Sequence, residues 1–403
     1  MSGGGGGGGG WARAGQWRAA GDARGSESPL YEAVSPALYV VRAFGLAPYR
    51  YPPGNRPPRL RASGPYCLYS LLWASLYSWI VVTALMRFGG LDRDKPVLGV
   101  TENGKLVLNY VTALAELVLT VGRRRQFARV WNGIQDFDES FQLGRDGLGG
   151  RLLRLSRLWV WLSLVASAGV WTAINQLGMH AFDESYLQNV GYMLTYVGTY
   201  IATLKFVGMV FLLGQRFAYL NRLLAAQCLV RPAGLPPTQR NHALAKKVET
   251  WYNNLLSTSE MLSELYSWSL FLFLLNLFCH AVSNMYFFTI WTIIDPSYLK
   301  NLKVVLCLFT WLVVYLLQLL LLHVSCHFTS VEASRMANVL LDWRRQAERQ
   351  GKQHHFRSTL HYLNRRLKFT AAGCFDVNLP LLTTTFGHLT TYLVILLQIP
   401  DSS

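Results

Sequence analysis

The chain has 403 residues, of which 51% are hydrophobic and 15% charged, whereas ordinary globular domains carry roughly 25% charged residues. This balance excludes a disordered, collagen-like or disulfide-rich secreted chain, and the long uncharged apolar runs exclude a soluble globular protein. The net charge of +16 would indicate a nucleic-acid partner only if the basic residues shared one accessible face. They are distributed among the loops between apolar runs, so the sequence predicts a polytopic membrane protein that contacts lipid and no nucleic acid.

The first 65 residues form a polar, basic region that contains a run of eight glycines at 3–10. Such a run is flexible, and four prolines between residues 52 and 58 break regular structure. Residues 1–65 are therefore predicted to be a flexible cytosolic N-terminal region. Within it, the apolar segment 36–48 is too short to span a bilayer and is predicted to be interfacial or docked.

Seven later stretches are apolar enough to cross the ~30 Å hydrocarbon core as helices. They are 66–86, 106–121, 158–177, 190–213, 268–292, 304–324 and 379–399. The second is the weakest, because it is short and contains Asn109 and Glu116, and its start is placed as early as Val97. The predicted fold class is an all-α membrane protein with seven transmembrane helices.

The distribution of Lys and Arg predicts the orientation of these helices. With the N-terminus in the cytosol, segments 1–65, 122–157, 214–267 and 325–378 would be cytosolic. They hold 31 of the 38 basic residues. Positive residues near span ends favour the cytosolic side. An odd number of spans then places the C-terminus outside, which is opposite to the orientation of a G-protein-coupled receptor.

Two ionisable residues, Glu116 and Lys205, lie inside predicted spans, where charge is expensive. Counted from the cytosolic ends of the second and fourth spans, their depths differ by only about 5 Å. The sequence therefore predicts a structural ion pair between them.

The last span carries polar side chains along one face of an otherwise apolar helix. The face consists of Thr384, His388, Thr391, Ile395 and Gln398. At 100° per residue these positions fall within an arc of about 80°. A polar stripe on a span faces protein or water, so it indicates either helix–helix packing or the wall of a pore. In a pore, Ile395 would form a hydrophobic constriction and Gln398 a ring of amides near the outer mouth.

Aromatic and amide side chains recur in the outer halves of the third, fourth and fifth spans. The candidate ligand-binding residues are Trp171, Asn175, Tyr192, Tyr196, Tyr200, Asn284 and Tyr286. Apolar pockets with a few convergent hydroxyls and amides are typical of small-molecule sites. Aromatic belts at the membrane interface and packed bundle interiors would explain single members of this set equally well.

Catalytic and metal-binding patterns are missing from the sequence. It contains no P-loop, no dinucleotide-binding glycine pattern and no nucleophile elbow, so an enzyme is not expected. His323, Cys326 and His327 have helical metal-ligand spacing but lie at the end of a span, with Glu332 as the one nearby carboxylate. We expect neither a metal site nor a cofactor.

The end of the chain from Thr391 to Gln398 resembles the C-terminal signature of the insect gustatory receptor family. That signature is Thr-Tyr, five hydrophobic residues and Gln, usually followed by Phe, where this chain has Ile399. The preceding residues 369–378 and the segment 36–48 are also similar to stretches of that family. Seven spans with an inverted orientation agree with the resemblance over nearly the whole chain.

The resemblance implies a tastant-gated, non-selective cation channel in the plasma membrane of chemosensory neurons. It implies a tetramer, either a homotetramer or a heteromer with related receptor subunits, with residues 325–378 as cytosolic anchor helices. The bundle 66–324 would hold the ligand, and 379–403 would form the pore, which narrows at Ile395. Leu393 stands where the sugar-receptor branch commonly has an acidic residue. A small-solute transporter and an odorant-receptor-like channel of the same fold are the alternatives.

Overall fold

The computed structural model describes residues 29–51, 59–89, 96–143, 147–182, 185–229, 239–290, 292, 302–348 and 365–398. Helices dominate these ranges. They are α1 (Pro29–Ala43), α2 (Gly64–Gly89), α3 (Pro96–Gly122), α4 (Arg124–Ser140), α5 (Gly147–Phe182), α6 (Tyr186–Leu229), α7 (Gln239–Thr289), α8 (Leu302–Glu348) and α9 (Leu379–Gln398). The strands are β1 (Tyr49–Arg50) and β2 (Arg61–Ala62), which pair antiparallel, and β3 (Thr370–Ala371) and β4 (Phe375–Asp376), which do the same.

Seven of these helices, α2, α3 and α5–α9, are long and apolar enough to cross a membrane, which confirms the predicted fold class. The weak second stretch is a full helix. It begins at Pro96, ten residues before the predicted span, because proline is well tolerated in the first turn of a helix. This start agrees with the earlier alternative start near Val97.

Helices α6, α7 and α8 continue far beyond the length that a bilayer requires. Helix α7 has 51 residues and α8 has 47, so each is about 70–77 Å long against ~30 Å of hydrocarbon. The helix predicted after the sixth span is the continuation of α8. The layer beyond the apolar stretches at this end of the bundle is thus built from extensions of the spans. Residues 365–378 differ from the prediction of anchor helices, because they form an extended stretch followed by the β3–β4 hairpin.

Helix α6 lies at the centre of the bundle. Of its most apolar stretch 61% is buried, compared with 11% in α5 and α9. It packs most extensively against α8, and Phe206, Val210 and Leu213 on it are fully buried. Gly198 allows α2 to approach, because a Cβ atom there would collide with the hydroxyl of Tyr77.

The predicted docked segment 36–48 is the second half of α1 and the turn after it. Helix α1 packs against α5 and buries Leu30 and Val41. Pro36 lies inside this helix and cannot donate to the carbonyl of Glu32. The hydroxyl of Ser35 donates to that carbonyl at 3.3 Å, which compensates for the missing bond.

An ion pair that the sequence had not indicated joins α4 to α6. Arg216 donates through Nε and Nη2 to both carboxylate oxygens of Asp138, at 3.0 and 2.6 Å. Both side chains are almost fully buried. Gln215 beside it accepts a bond from Ser156 of α5 at 3.0 Å. This network fixes α4, α5 and α6 to one another outside the apolar stretch.

Candidate ligand site and pore helix

Four of the seven predicted ligand-binding residues meet in one aromatic cluster. Tyr192, Tyr196 and Tyr200 lie one turn apart on α6, and the hydroxyls of the first two are 2.9 Å apart. The rings of Trp171 and Tyr200 have centroids 5.5 Å apart and are nearly perpendicular. The spacing of four residues places the three tyrosines on one face of α6, where Tyr192 contacts Tyr196 and Tyr200 contacts Trp171.

Three further aromatic residues complete this cluster. Trp311 and Tyr315 of α8 and His280 of α7 contact the tyrosines, with Tyr196–Trp311 and Tyr196–His280 ring centroids 5.2 and 5.4 Å apart. The rings of His280 and Tyr315 stack with a 9° angle between their planes. Sequence reasoning missed all three, although the spacing of four between Trp311 and Tyr315 was a usable signal. We call Trp171, Tyr192, Tyr196, Tyr200, His280, Trp311 and Tyr315 the aromatic cluster.

The other three predicted ligand residues are not part of the ring contacts of the aromatic cluster. Asn175 accepts a hydrogen bond from Asn189 through its side-chain oxygen at 2.9 Å, which fastens α5 to α6. Asn284 donates to the backbone carbonyl of His280, one turn earlier in α7. Tyr286 belongs to a second hydrophobic cluster with Phe287 and residues of α8. The contacts of these three side chains thus join parts of the helices to one another.

Polar atoms without partners border the aromatic cluster. Trp171 Nε1, His280 Nε2 and Ser283 Oγ are buried and have no hydrogen-bond partner among the residues that the structure describes. A buried polar atom left without a partner costs about 1–3 kcal/mol. Each such atom in a folded protein therefore indicates water or a ligand that completes its bonding.

A polar layer lies next to the aromatic cluster, towards the middle of the bundle. Asn109 of α3 accepts a bond from Thr199 at 2.9 Å and one from Asn276 at 3.3 Å, and donates to Thr195 at 3.4 Å. All four side chains are buried. This layer ties α3 and α7 to α6 at the level of the tyrosines.

The predicted ion pair between Glu116 and Lys205 is present. The Lys205 ammonium lies 3.5 Å from the Glu116 carboxylate and donates to Thr120 at 3.1 Å. Ser269 of α7 donates to the other carboxylate oxygen at 2.6 Å. The ammonium also lies 5.1 Å from the centroid of the Phe127 ring, within reach of a cation–π interaction. Glu116 and Lys205 thus each find an opposite charge and hydrogen-bond partners within the chain.

A small cavity of about 10 Å³, room for about one water molecule, lies beside this ion pair. Its lining includes Arg123, whose guanidinium donates to the backbone carbonyls of Glu264 and Leu265 at 3.0 and 2.9 Å. Each charged group in the lining has a partner in the chain. The aromatic cluster, where polar atoms lack partners, is therefore the stronger candidate for a ligand site than this cavity.

The five residues of the predicted pore stripe, Thr384, His388, Thr391, Ile395 and Gln398, are all exposed on α9. The opposite face buries Leu382 and Leu389, and α9 packs against α7 and α8. The hydroxyls of Thr384 and Thr391 donate to backbone carbonyls of α9 itself. The stripe therefore faces away from the bundle of its own chain.

The segment before α9 is fastened to α7 and touches α6. The backbone N–H of Ala372 donates to Ser267 at 2.9 Å, and the hydroxyl of Ser263 donates to the carbonyl of Lys368 at 3.0 Å. Phe369 is buried, and its ring centroid lies 6.3 Å from that of Phe206. One helix, α6, thus contacts both the aromatic cluster and the chain that leads into α9.

Comparisons with known proteins agree with this architecture. Residues 34–401 match the family model described as 7tm Chemosensory receptor. The fold is similar to that of the insect olfactory receptor OR5 from Machilis hrabei, with a TM-score of 0.61 at 13% identity, and to that of its complex with eugenol, with 0.66 at 14%. Each match covers 92% of this chain and 99% of the other. No curated protein sequence matches the chain significantly.

Proposed function

The chain belongs to the 7tm chemosensory receptor family, a family of receptors and not of enzymes, and we propose that it is a gustatory receptor. In this proposal it is a tastant-gated, non-selective cation channel. Four subunits, identical or mixed with related receptors, surround a pore that α9 lines.

The observation that carries this proposal is the outward polar face of α9. A helix of 20 residues that spans the membrane would expose two threonines, a histidine and a glutamine to lipid if the chain were alone. Polar groups in hydrocarbon are expensive, whereas several copies around an axis would turn the stripe towards water. Ile395 would then form the narrow hydrophobic ring and Gln398 the outer mouth.

The aromatic cluster is the proposed binding site for the tastant. Aromatic walls with a few polar atoms are typical of small-molecule sites. The relative of similar fold, OR5, was solved in complex with eugenol, so a small molecule binds that protein. Trp171, Tyr192, Tyr196 and Tyr200 are proposed to contact the tastant directly. Asn175 and Asn284 are proposed to border it, and Tyr286 is retained as an outlying member.

The proposed orientation places the N-terminus in the cytosol and the C-terminus outside. The 31 of 38 basic residues on the inner side support it. This orientation gives each region a proposed role. Residues 66–324 hold the tastant, residues 325–378 anchor the subunits in the cytosol, and residues 379–403 form the pore for cations. The proposed location is the plasma membrane of chemosensory neurons.

Tags at either terminus, stained on intact and permeabilised cells, test the orientation: a C-terminal tag hidden on intact cells contradicts it.

The C-terminal motif favours a gustatory over an odorant receptor. The run from Thr391 to Gln398 has the gustatory form, although the solved structures of similar fold are olfactory. Family membership favours a receptor over the transporter alternative.

Current recording with a pair of opposite charges at Gln398 tests the channel. In cells that express the full chain and respond to a tastant panel, Gln398→Arg is expected to reduce cation current, because it places a ring of positive charge at the mouth. Gln398→Glu is expected to raise or preserve cation selectivity. Equal currents and reversal potentials for both variants, at equal surface expression, would contradict the pore assignment.

A further inference from the structure

We propose that three arginines at the start of α2 bind the headgroup of an anionic phospholipid that ends in a phosphate monoester, as in phosphatidic acid. They are Arg42 near the end of α1 and Arg50 and Arg61 of the β1–β2 hairpin, and we call them the arginine cluster. This site shares no residue with the aromatic cluster or with the polar stripe of α9. It does not rest on the proposed function, and either can fail while the other stands.

The arginine cluster lies where a membrane span begins. Strand β2 ends at Ala62, and α2 is long and apolar enough to cross a membrane from Gly64 onwards. Arg42 Nη2 donates to the backbone carbonyl of Tyr49 in β1 at 3.1 Å. The guanidinium carbon of Arg42 also lies 4.8 Å from the centroid of the Tyr66 ring, in the first turn of α2. The hairpin and the end of α1 therefore hold the three arginines at the depth of lipid headgroups.

The positive charge of the arginine cluster is not neutralised in the described part of the chain. Arg50 and Arg61 are direct partners in the antiparallel pair, so their side chains leave the same face of the hairpin, and both are exposed. Like charges placed opposite each other in this way are destabilising. Nearby Arg59 differs, because it forms an ion pair with Asp136. The first turn of α2 contains no acidic residue. An anion from outside the chain would relieve this repulsion.

A buried donor of Arg42 lacks an acceptor. Its Nε atom is buried and has no hydrogen-bond partner among the residues that the structure describes. A guanidinium can only donate, and its planar fork matches the oxygens of a phosphate. The rings of Tyr39 and Tyr66 lie 5.8 and 4.8 Å from the guanidinium carbon and interact with its charge, but neither gives Nε an acceptor. A phosphate oxygen supplies one.

The adjoining surface of α2 favours a lipid over free phosphate. Leu68, Leu71 and Leu72 are 62, 54 and 60% exposed in the first turns of this span. They present an apolar surface for acyl chains directly after the headgroup level, whereas free phosphate would use the arginines alone. A phosphate monoester carries a charge of about −1.5 to −2 at neutral pH, so it neutralises three arginines better than a headgroup with one net negative charge.

Lipid binding to the purified full chain in neutral detergent, measured by native mass spectrometry, tests the proposal. The probes are dioleoyl phosphatidic acid and dioleoyl phosphatidylcholine, which have the same acyl chains. We expect the chain to retain phosphatidic acid in preference. Arg50→Gln with Arg61→Gln is expected to weaken that binding roughly thirtyfold, because each arginine near a membrane surface contributes about fivefold. The matched control is Arg222→Gln with Arg335→Gln, which removes the same charge from exposed positions of α6 and α8.

Unfolding temperatures provide a second readout. Without lipid, Arg50→Gln with Arg61→Gln is expected to unfold at the same temperature as the unsubstituted chain or higher, because the facing like charges are gone. With phosphatidic acid the unsubstituted chain is expected to be the more stable, since the bound lipid stabilises it. Equal binding of phosphatidic acid by the two double variants, or no preference over phosphatidylcholine, would overturn the proposal. Displacement of the lipid by millimolar inorganic phosphate would overturn the role of the acyl chains and with it the assignment to a lipid.

Discussion

Helices α6 and α9 both carry polar residues through the membrane, but they turn them in opposite directions. In α6 the polar side chains face inward and bond to neighbours: Thr199 to Asn109, Lys205 to Glu116, and, beyond the predicted span, Arg216 to Asp138. In α9 the stripe faces outward. The hydrogen bonds described for its threonine hydroxyls all go to backbone carbonyls of α9 itself. Polar residues of α6 therefore stabilise the fold, whereas those of α9 face other subunits or water only in the proposed channel. The predictions below test this difference.

The largest effect is expected when Arg216 loses its charge. Arg216→Met leaves the buried carboxylate of Asp138 without its partner, and breaking a buried pair in this way costs about 3–5 kcal/mol. We expect a strong loss of folded protein, measured by fluorescence-detected size-exclusion chromatography. The double variant Asp138→Leu with Arg216→Met should recover part of the loss. Wild-type yield for the single variant would show that the pair does not stabilise α6.

A smaller loss is expected for Lys205→Met, because Glu116 keeps the hydroxyls of Ser269 and Thr120 as partners. We expect destabilisation of about 2–3 kcal/mol, read as a lowered unfolding temperature in detergent. Glu116→Gln with Lys205→Met should be milder than Lys205→Met alone. If expression, stability and tastant response are all unchanged in Glu116→Gln and Lys205→Met, the ion pair has no structural role.

The close approach of α2 to α6 predicts a steric effect at Gly198. Gly198→Ala places a methyl group against Tyr77, and overpacking of this kind costs about 1–3 kcal/mol. Gly191→Ala on the same helix is the control, because nothing lies within 4 Å of a Cβ there. The two variants should differ in unfolding temperature. Equal temperatures would contradict the packing of α2 on α6.

The smallest effect on stability is expected on α9. Thr391→Val removes an exposed hydroxyl that bonds only to its own helix, so the stability of the single chain should change by less than about 0.5 kcal/mol. Cation conductance should nevertheless fall, since the stripe loses a polar group. A stability loss as large as that of Lys205→Met would place Thr391 in the packed bundle and end the contrast with α6.

Composition and hydropathy were sufficient to predict the seven spans, because each is a long apolar run. The Glu116–Lys205 pair was predictable for a related reason: charges inside spans are rare, and their depths could be compared. The Asp138–Arg216 pair was not, because both residues lie among many other charged loop residues. Hairpin β3–β4 was missed because a two-residue strand has no periodicity.

The candidate ligand site was predicted mainly where one helix carried it, with Trp171 of α5 as the exception. Tyr192, Tyr196 and Tyr200 repeat every four residues, so one face was visible in the sequence. His280 and Trp311 come from other helices, and their approach to Tyr196 depends on how α7 and α8 pack against α6. Tyr286 was included for its depth, but its position around α7 turns it towards the second hydrophobic cluster. The depth of a residue along its span can be counted from the sequence, whereas the direction that it faces around the helix axis requires the packed structure.

Cysteine accessibility on α9 is the most direct test of the pore assignment. Thr391→Cys and Gln398→Cys would be treated with a positively charged methanethiosulfonate reagent during tastant-evoked current, with the unsubstituted chain and Val394→Cys as controls. Val394 is 46% exposed but lies beside the stripe and not on it. We predict an irreversible loss of current in the two stripe variants alone. Unchanged currents in both, or a loss confined to Val394→Cys, would contradict a pore lined by α9.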